Sequence, residues 1–432
     1  MTLAVVIAIA ITLAMTPVAK KLAWKFDAVA RPDGKRKRHA RPTPLWGGGS
    51  VYLAVLLSVT LAYYFYFRGS NIGIPSLPAL PAALALSAGL LCVLGCYDDL
   101  FDMRARWKLI GQILSIIPII IAGGCVHRLV ILGCSVELGM MGIVFTIGWL
   151  VLGINALNLL DGMDGLASTV GIGISIGVAA IAATHGHTAA MLLALALAGS
   201  LAGFLVYNLP PARIYLGDCG SMIIGLTLAL LVLRVSSRTP NSPNLTVAAA
   251  LLFVPLLDTG LAVIRRTLNG SGFMVADHGH VHHRLLDRGF NIWKALAFLG
   301  GLCLTTSAVA WLASASGYEL WAWGVLAGIT LFLVNRQLLG HGEWYLAKQL
   351  MARMTPRQVG AVLARISHGI PSFLRETASR LVLRRVPTEP TFQLRVVVPP
   401  DVPRQVANEP ISSPFSSTSA ATTRREDSRA AA

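Results

Sequence analysis

The stretch Asn155-Ala-Leu-Asn158-Leu-Leu-Asp161-Gly-Met-Asp164-Gly-Leu sets two carboxamides and two carboxylates between long apolar runs. Hydrocarbon solvates neither group, so an ionisable side chain placed there is costly and marks a point where something compensates it. Asn155, Asn158 and Asp161 recur at every third residue and would share one face of a continuing helix, a face able to hold a cation. Gly162 and Gly165 permit a sharp turn and close backbone approach before the next apolar run begins.

Four other stretches carry comparable chemistry. In Tyr97-Asp98-Asp99-Leu-Phe-Asp102-Met-Arg104-Ala-Arg106-Trp-Lys108 the adjacent carboxylates repel one another, so the pair calls for a proton or a cationic partner. Asp98 and Asp99 then suit a proton acceptor or a metal-associated group; the alternative is a solvated helix end with ion pairs among Asp102, Arg104, Arg106 and Lys108. Gly217-Asp218-Cys-Gly-Ser221, a few residues after Arg213, opens a helix with a carboxylate, a hydroxyl and unpaired N–H groups, a corner for phosphate and metal. The same letters also describe an ordinary capped turn.

Arg265-Arg266 is followed by Asp277-His278-Gly-His280-Val-His282-His283-Arg284. Clustered histidines invite zinc, but no cysteine lies near, and the carboxylates elsewhere suit a hard cation with oxygen ligands. Histidines beside arginine forks suit a pyrophosphate equally well. Finally, Lys35-Arg-Lys37-Arg-His39-Ala-Arg41 runs through prolines into Gly47-Gly-Gly49. Positive residues beside a membrane span are commonly anchors. A basic run at a glycine-rich helix entrance also fits phosphate, through side-chain charge and unpaired N–H groups, with Lys37 and His39 as the contacts.

Such side chains need a frame, and the composition defines its solvent. Of the residues, 55% are apolar and 13% charged, about half the charged share of a soluble domain. The expected fold is an all-α polytopic membrane protein with about eleven transmembrane helices, counted as apolar runs of roughly 20 residues. These run from Leu3 to Ala19, Leu45 to Phe67, Ala79 to Tyr97, Leu109 to Gly124, Met140 to Leu157, Leu166 to Thr184, Ala189 to Tyr207, Met222 to Val235, Val247 to Ile264, Ala295 to Ala313 and Leu320 to Val334. Lys20, Lys21 and Lys25 follow the first run, so its C-terminal end is expected to face the cytoplasm. Alternate threading puts every stretch described above on that side, which places the active site on cytoplasmic loops.

The net charge of +16 would suggest nucleic acid in a soluble protein. Here positive-inside loops and a basic tail beside anionic lipid account for it, and no nucleic-acid partner is expected. Cys125 and Cys134 bracket one external loop and could pair in an oxidising compartment. The chain divides into a transmembrane domain over 1 to 335, an amphipathic helical segment over 336 to 370, and a largely disordered cytoplasmic tail over 371 to 432.

Taken together, five stretches resemble the polyprenyl-phosphate N-acetylhexosamine-1-phosphate transferases, glycosyltransferase family 4. They are Lys-Arg-His39 to the glycines, Asp98-Asp99 with Lys108-Leu-Ile-Gly-Gln112, Asn155 to Leu166, Pro210 to Ser221, and Asp277-x-x-His280-x-His-His-Arg284. Val281 interrupts the histidines, and Leu100-Phe-Asp102 follows the carboxylate pair. Both point to the branch that uses N-acetylglucosamine rather than the muramoyl-pentapeptide branch, which stands as the alternative together with a non-catalytic transporter.

The resemblance implies Mg²⁺-dependent transfer of N-acetylhexosamine 1-phosphate from a UDP-sugar to undecaprenyl phosphate at the inner (plasma) membrane, with Mn²⁺ as a substitute ion and a homodimer left open. It makes Asn158 and Asp218 the magnesium ligands and Asp98 or Asp99 the group that accepts a proton from, or orients, the lipid phosphate. Asp161 and Asp164 complete the acidic set. Lys37, His39, Arg213, Arg265, His280, His282 and His283 bind substrate phosphate.

Overall fold

The computed structural model describes residues 1–31, 42–68, 79–237, 242–268, 279–336, 338 and 345. Lys37 and His39 lie outside them, as does nearly all of the segment from 336 onward. The chain separates into two compact units, Met1–Thr355 and Pro356–Ala432, and every described residue belongs to the first.

In chain order the described elements are α1 (Thr2–Lys25), β1 (Val29–Ala30), β2 (Thr43–Pro44), α2 (Gly47–Arg68), α3 (Ala79–Phe101), α4 (Ala105–Ile121), β3 (Arg128–Ile131) and β4 (Cys134–Glu137). There follow α5 (Met141–Leu160), α6 (Leu166–His185), α7 (Thr188–Asn208), α8 (Gly217–Val235), α9 (Leu245–Leu251), α10 (Phe253–Leu268), α11 (Val281–Asp287), α12 (Ile292–Ser316) and α13 (Leu320–Asn335). The strands form two antiparallel ladders, with Val29 opposite Pro44 and Arg128 opposite Glu137.

Among the described residues eight helices are long and apolar enough to cross a membrane, or up to nine if α9 and α10, bent by 86°, make one span. This corrects the expectation of about eleven. The difference lies in α4 and α13, with 17 and 16 residues, which at 1.5 Å per residue reach only about 25 Å against a hydrocarbon core of about 30 Å. An apolar run reports a preference for solvent, whereas the helix inside it ends where backbone geometry ends it. The chain is a mostly α-helical, multi-pass membrane protein.

At the centre stands α8, with 89% of its apolar window buried against 22% for α1. It is apolar on all sides, as a helix enclosed by others must be. Small residues bring its neighbours close: a Cβ on Gly48 of α2 would overlap the backbone of Gly220, and one on Gly95 of α3 would overlap that of Cys219. Without a hydrophobic drive between helices in lipid, such close packing and interhelical hydrogen bonds supply the attraction. Thr12 with Ser200 (2.8 Å) and Thr16 with Ser50 (3.0 Å) are buried hydroxyl pairs of this kind.

The two ends of the bundle differ. One gathers the C-terminal ends of α3 and α5 and the N-terminal ends of α4 and α8. The other carries the β3–β4 ladder, where the Val130 N–H donates to the Pro243 carbonyl at 3.0 Å. There the buried Glu319 accepts from Asn244 (2.6 Å) and Thr246 (2.7 Å). Cys125 and Cys134 are both free thiols.

Candidate functional site

The last turn of α3 holds Asp98 and Asp99. Asp98 accepts the Met103 N–H at 2.7 Å through Oδ1 and meets Lys108 Nζ at 2.9 Å through Oδ2. Asp99 Oδ1 accepts the Asp218 N–H at 3.0 Å, which satisfies one of the donors that a helix start leaves open. Its Oδ2 is buried with no hydrogen-bond partner among the described residues. The expected need of the acidic pair for a cation is met by Lys108.

That ammonium, on α4, also forms an ion pair with Asp218 and donates to Asn158 Oδ1 at 3.2 Å. Asn158 in turn donates through Nδ2 to Asp218 Oδ1 (2.8 Å) and to Ser221 Oγ (2.9 Å). Four helices thus converge on one cation surrounded by oxygens. The alternative network does not form: among the described residues Asp102, Arg104 and Arg106 take part in no ion pair, and Lys108 turns inward to Asp98 and Asp218. One helical turn after Lys108, Gln112 pairs with Asn155, the Asn155 amide donating at 2.8 Å.

Asn155 and Asn158 share the inner face of α5, as their spacing predicts. Asp161 does not extend that face. The helix ends at Leu160, and Asp161 is its C-cap with φ −75° and ψ 49°. Burial first, then the charges of Asp218 and Asp164, push its carboxyl up to about 8. Asp164 Oδ2 accepts the Ala212 N–H at 2.9 Å, and Asn208 ties Gly165 N–H (3.0 Å) to the Ile214 carbonyl (3.0 Å). The loop after α5 and the loop before α8 are therefore stapled together. Arg213, exposed, is carried by the second of these loops.

Both glycines of the first loop act as expected. Gly165 adopts φ +75°, and Gly162 lies where any Cβ would meet the imidazole of His282. This contact brings α11 to the acidic loop. The His282 ring is 4.2 Å from that of His283 and lies parallel to that of His280 at 6.0 Å. Burial is the main cause that lowers the His282 imidazole to about 3, helped by neighbouring His283. Arg265, buried on α10, packs against Gly279 just before this helix.

One expectation fails at the entrance to α2. The N–H groups of Gly47 and Gly48 are not open to phosphate, because they donate to the carbonyls of Tyr215 (3.0 Å) and Leu216 (2.8 Å). They anchor the start of α8 instead. Lys108 and Asp258 also take part in the site, beyond the residues expected from the sequence. For Lys108 a signal existed, since Lys108 and Gln112 are one turn apart and present two polar heads on one face of an apolar helix.

The fold and these groups define a class: a polytopic α-helical membrane protein with a carboxylate, lysine and carboxamide cluster at one end of its bundle and histidines against it. Residues 81 to 236 match Glycosyl transferase family 4, a stretch that contains every member of the central cluster. The chain is 32% identical over 311 residues, 71% of its length and 83% of the relative's, to a Bacillus subtilis (strain 168) protein described as a probable undecaprenyl-phosphate N-acetylglucosaminyl 1-phosphate transferase. It is 33% identical over 67% of its length and 76% of the relative's to the decaprenyl-phosphate N-acetylglucosaminephosphotransferase of Mycolicibacterium smegmatis. For the undecaprenyl-phosphate alpha-N-acetylglucosaminyl 1-phosphate transferase of Thermotoga maritima the identity is 28%, over 76% and 96%. This chain belongs to glycosyl transferase family 4.

Proposed function

We propose that the protein is an enzyme that transfers N-acetylglucosamine 1-phosphate from UDP-N-acetylglucosamine to undecaprenyl phosphate, releasing UMP and starting a lipid-linked cell-envelope glycan. The observation that carries this reading is the convergence of Asp98, Lys108, Asn158 and Asp218 at one end of the bundle, with His282 against the Asp161 to Gly165 loop. The names of the relatives supply the donor sugar and the lipid, and they favour this reaction over muramoyl-pentapeptide transfer. Lys20, Lys21 and Lys25 at the same end of the bundle support a cytoplasmic site in a plasma (inner) membrane.

In this reaction a phosphate oxygen of the lipid attacks the sugar-bearing phosphorus, the bond from that phosphorus to the bridging oxygen breaks, and UMP departs with that oxygen. Positioning and charge neutralisation provide most of the catalysis. Asp218 and Asn158 fit a magnesium ion, since their oxygens with those of Asp98 already enclose a cation, the Lys108 ammonium. Few protein oxygens suffice, because Mg²⁺ retains waters and substrate phosphate oxygens. The ion, or Mn²⁺ in its place, would offset the charge of the diphosphate.

Asp98, which faces Lys108, orients the lipid phosphate and takes its proton where one is present. Asp99 holds the start of α8 and so positions Asp218. Asp161 and Asp164 shape the loop beneath the histidines, and Arg213, Arg265, His280, His282 and His283 bind the diphosphate, with Lys37 and His39 as further phosphate contacts.

The test is UMP release by the purified protein supplied with undecaprenyl phosphate, Mg²⁺ and UDP-N-acetylglucosamine, with UDP-N-acetylgalactosamine and UDP-N-acetylmuramoyl-pentapeptide in parallel. UMP from the first donor alone supports the full assignment. UMP from another donor reassigns the sugar, and none from any donor removes the catalytic reading.

A further inference from the structure

Asp258 lies on α10, five residues into the second half of the broken pair, and is 2% exposed. A carboxylate removed from solvent this completely must have its oxygens occupied. Both are. Oδ1 accepts the Val281 N–H at 2.8 Å, and Oδ2 lies 2.8 Å from Nδ1 of His280, itself 5% exposed. His280 is the N-cap residue of α11 and makes no capping bond with its own side chain. The carboxylate of another helix therefore caps α11 and grips its first histidine at once.

A carboxylate can only accept, so the proton of the neutral ring sits on Nδ1 and Nε2 is the nitrogen left to act elsewhere. The ring is also fixed in direction, parallel to that of His282, which abuts Gly162 beside the acidic loop. Asp258, 2% exposed and with both oxygens engaged inside the protein, acts through His280 rather than on a substrate.

From this geometry we infer that Asp258 is a positioning residue for the transfer reaction, setting the tautomer and direction of His280 and thereby presenting Nε2 to the diphosphate of the sugar nucleotide. The inference rests on the activity proposed above. Analogous carboxylate–histidine pairs hold a catalytic imidazole or a metal-ligating one in a single orientation.

Asp258→Asn separates this role from a purely structural one. The amide oxygen still accepts from Val281 N–H, but its NH₂ now donates to Nδ1, which moves the ring proton to Nε2. The experiment compares full-length wild type, Asp258→Asn, His280→Gln and the double variant, in lipid nanodiscs with Mg²⁺, for UMP release, melting temperature and the ¹⁵N-histidine NMR spectrum.

Asp258→Asn should lower kcat by roughly 10- to 100-fold with little change in melting temperature. In the His280→Gln background it should cost nothing more. The Nδ1–H resonance that disappears in His280→Gln should also disappear in Asp258→Asn. Losses that multiply, a wild-type rate, or a rate loss that follows the melting temperature with the Nδ1–H resonance intact would overturn the inference. If Asp258→Asn does not fold, Asp258→Glu replaces it: retention of resonance and rate together supports the pair, and loss of the resonance at full rate refutes it. A wild type that releases no UMP defeats the proposed activity, while the NMR spectra still report on the pair.

Discussion

The carboxamide of Asn158 donates to Asp218 Oδ1 across 2.8 Å, joining the end of α5 to the start of α8 over 60 residues of sequence. An amide that donates to one carboxylate oxygen leaves its own oxygen facing the same space, and that oxygen accepts from Lys108. Asp218→Asn keeps the shape and removes the charge. The expected outcome is a fall in kcat on the order of 10²- to 10³-fold, the size seen when one preorganised electrostatic contact to a transition state is lost. The UMP assay should also show a higher Mg²⁺ requirement. A rate within twofold of wild type at the same Mg²⁺ would falsify the metal assignment.

Lys108 neutralises two carboxylates at once, with a side chain 17% exposed. Lys108→Met leaves Asp98 and Asp218 facing each other, and stranding a buried charge in this way costs about 3–5 kcal/mol. The melting temperature should drop, and UMP release should be lost. Adding Asp98→Asn should recover part of the thermal stability without recovering the rate. Equal melting temperatures for Lys108→Met and wild type would show that the ammonium is dispensable to the fold.

Gly162→Ala tests the contact between the acidic loop and α11. The new methyl would occupy the space of the His282 imidazole, and overpacking of this kind costs about 1–3 kcal/mol when neighbours must move. Because the contact lies in the site, the cost should appear as weaker use of the sugar nucleotide. Measured kcat/KM for the UDP-sugar should fall by about tenfold, the equivalent of 1.4 kcal/mol, with the lipid KM changed less.

His282 gives the protein an acid limit. Its folded value of about 3 lies below the unfolded value of about 6.5. Its contribution to stability is therefore complete above pH 6.5 and is lost as the pH falls from there towards 3, because the unfolded chain binds the proton first. At pH 5 the loss is about 2 kcal/mol. Asp161, raised to about 8, works in the opposite sense: the folded state gains protons first, so its cost to stability grows as the pH rises from about 4 to 8. Comparing His282→Gln with wild type cancels the Asp161 contribution. The variant should lose less melting temperature than wild type between pH 7 and pH 5, and parallel curves would refute the assignment.

At the opposite end of the bundle, Glu319 joins α9, α13 and the β3–β4 turn through Asn244, Thr246 and the Gly133 N–H at 3.3 Å. Glu319→Ala removes the acceptor of the buried Thr246 hydroxyl, at about 1–3 kcal/mol. Lower thermal stability with unchanged KM for both substrates is the expected result. A changed KM would connect this end to the site.

The amino-acid sequence by itself determined the solvent of the chain, the helical class and the polar stretches. These depend on the hydrophobicity of successive residues and on spacing within one helix. Asn155 and Asn158 on one face, the turn at Gly165, the close approach at Gly162 and the helix opening at Gly217 were all legible for that reason. Tertiary structure alone decided which groups meet. Lys108 also meets Asn158 and Asp218, 50 and 110 positions away, and the Asp218 N–H finds Asp99 across 119 residues; neither choice follows from local periodicity. The same reason hid Asp258, whose isolated carboxylate in an apolar helix acquires meaning only when α11 folds against it. It also explains the span count, because helix ends in α4 and α13 are settled by packing and backbone geometry, to which hydropathy is blind.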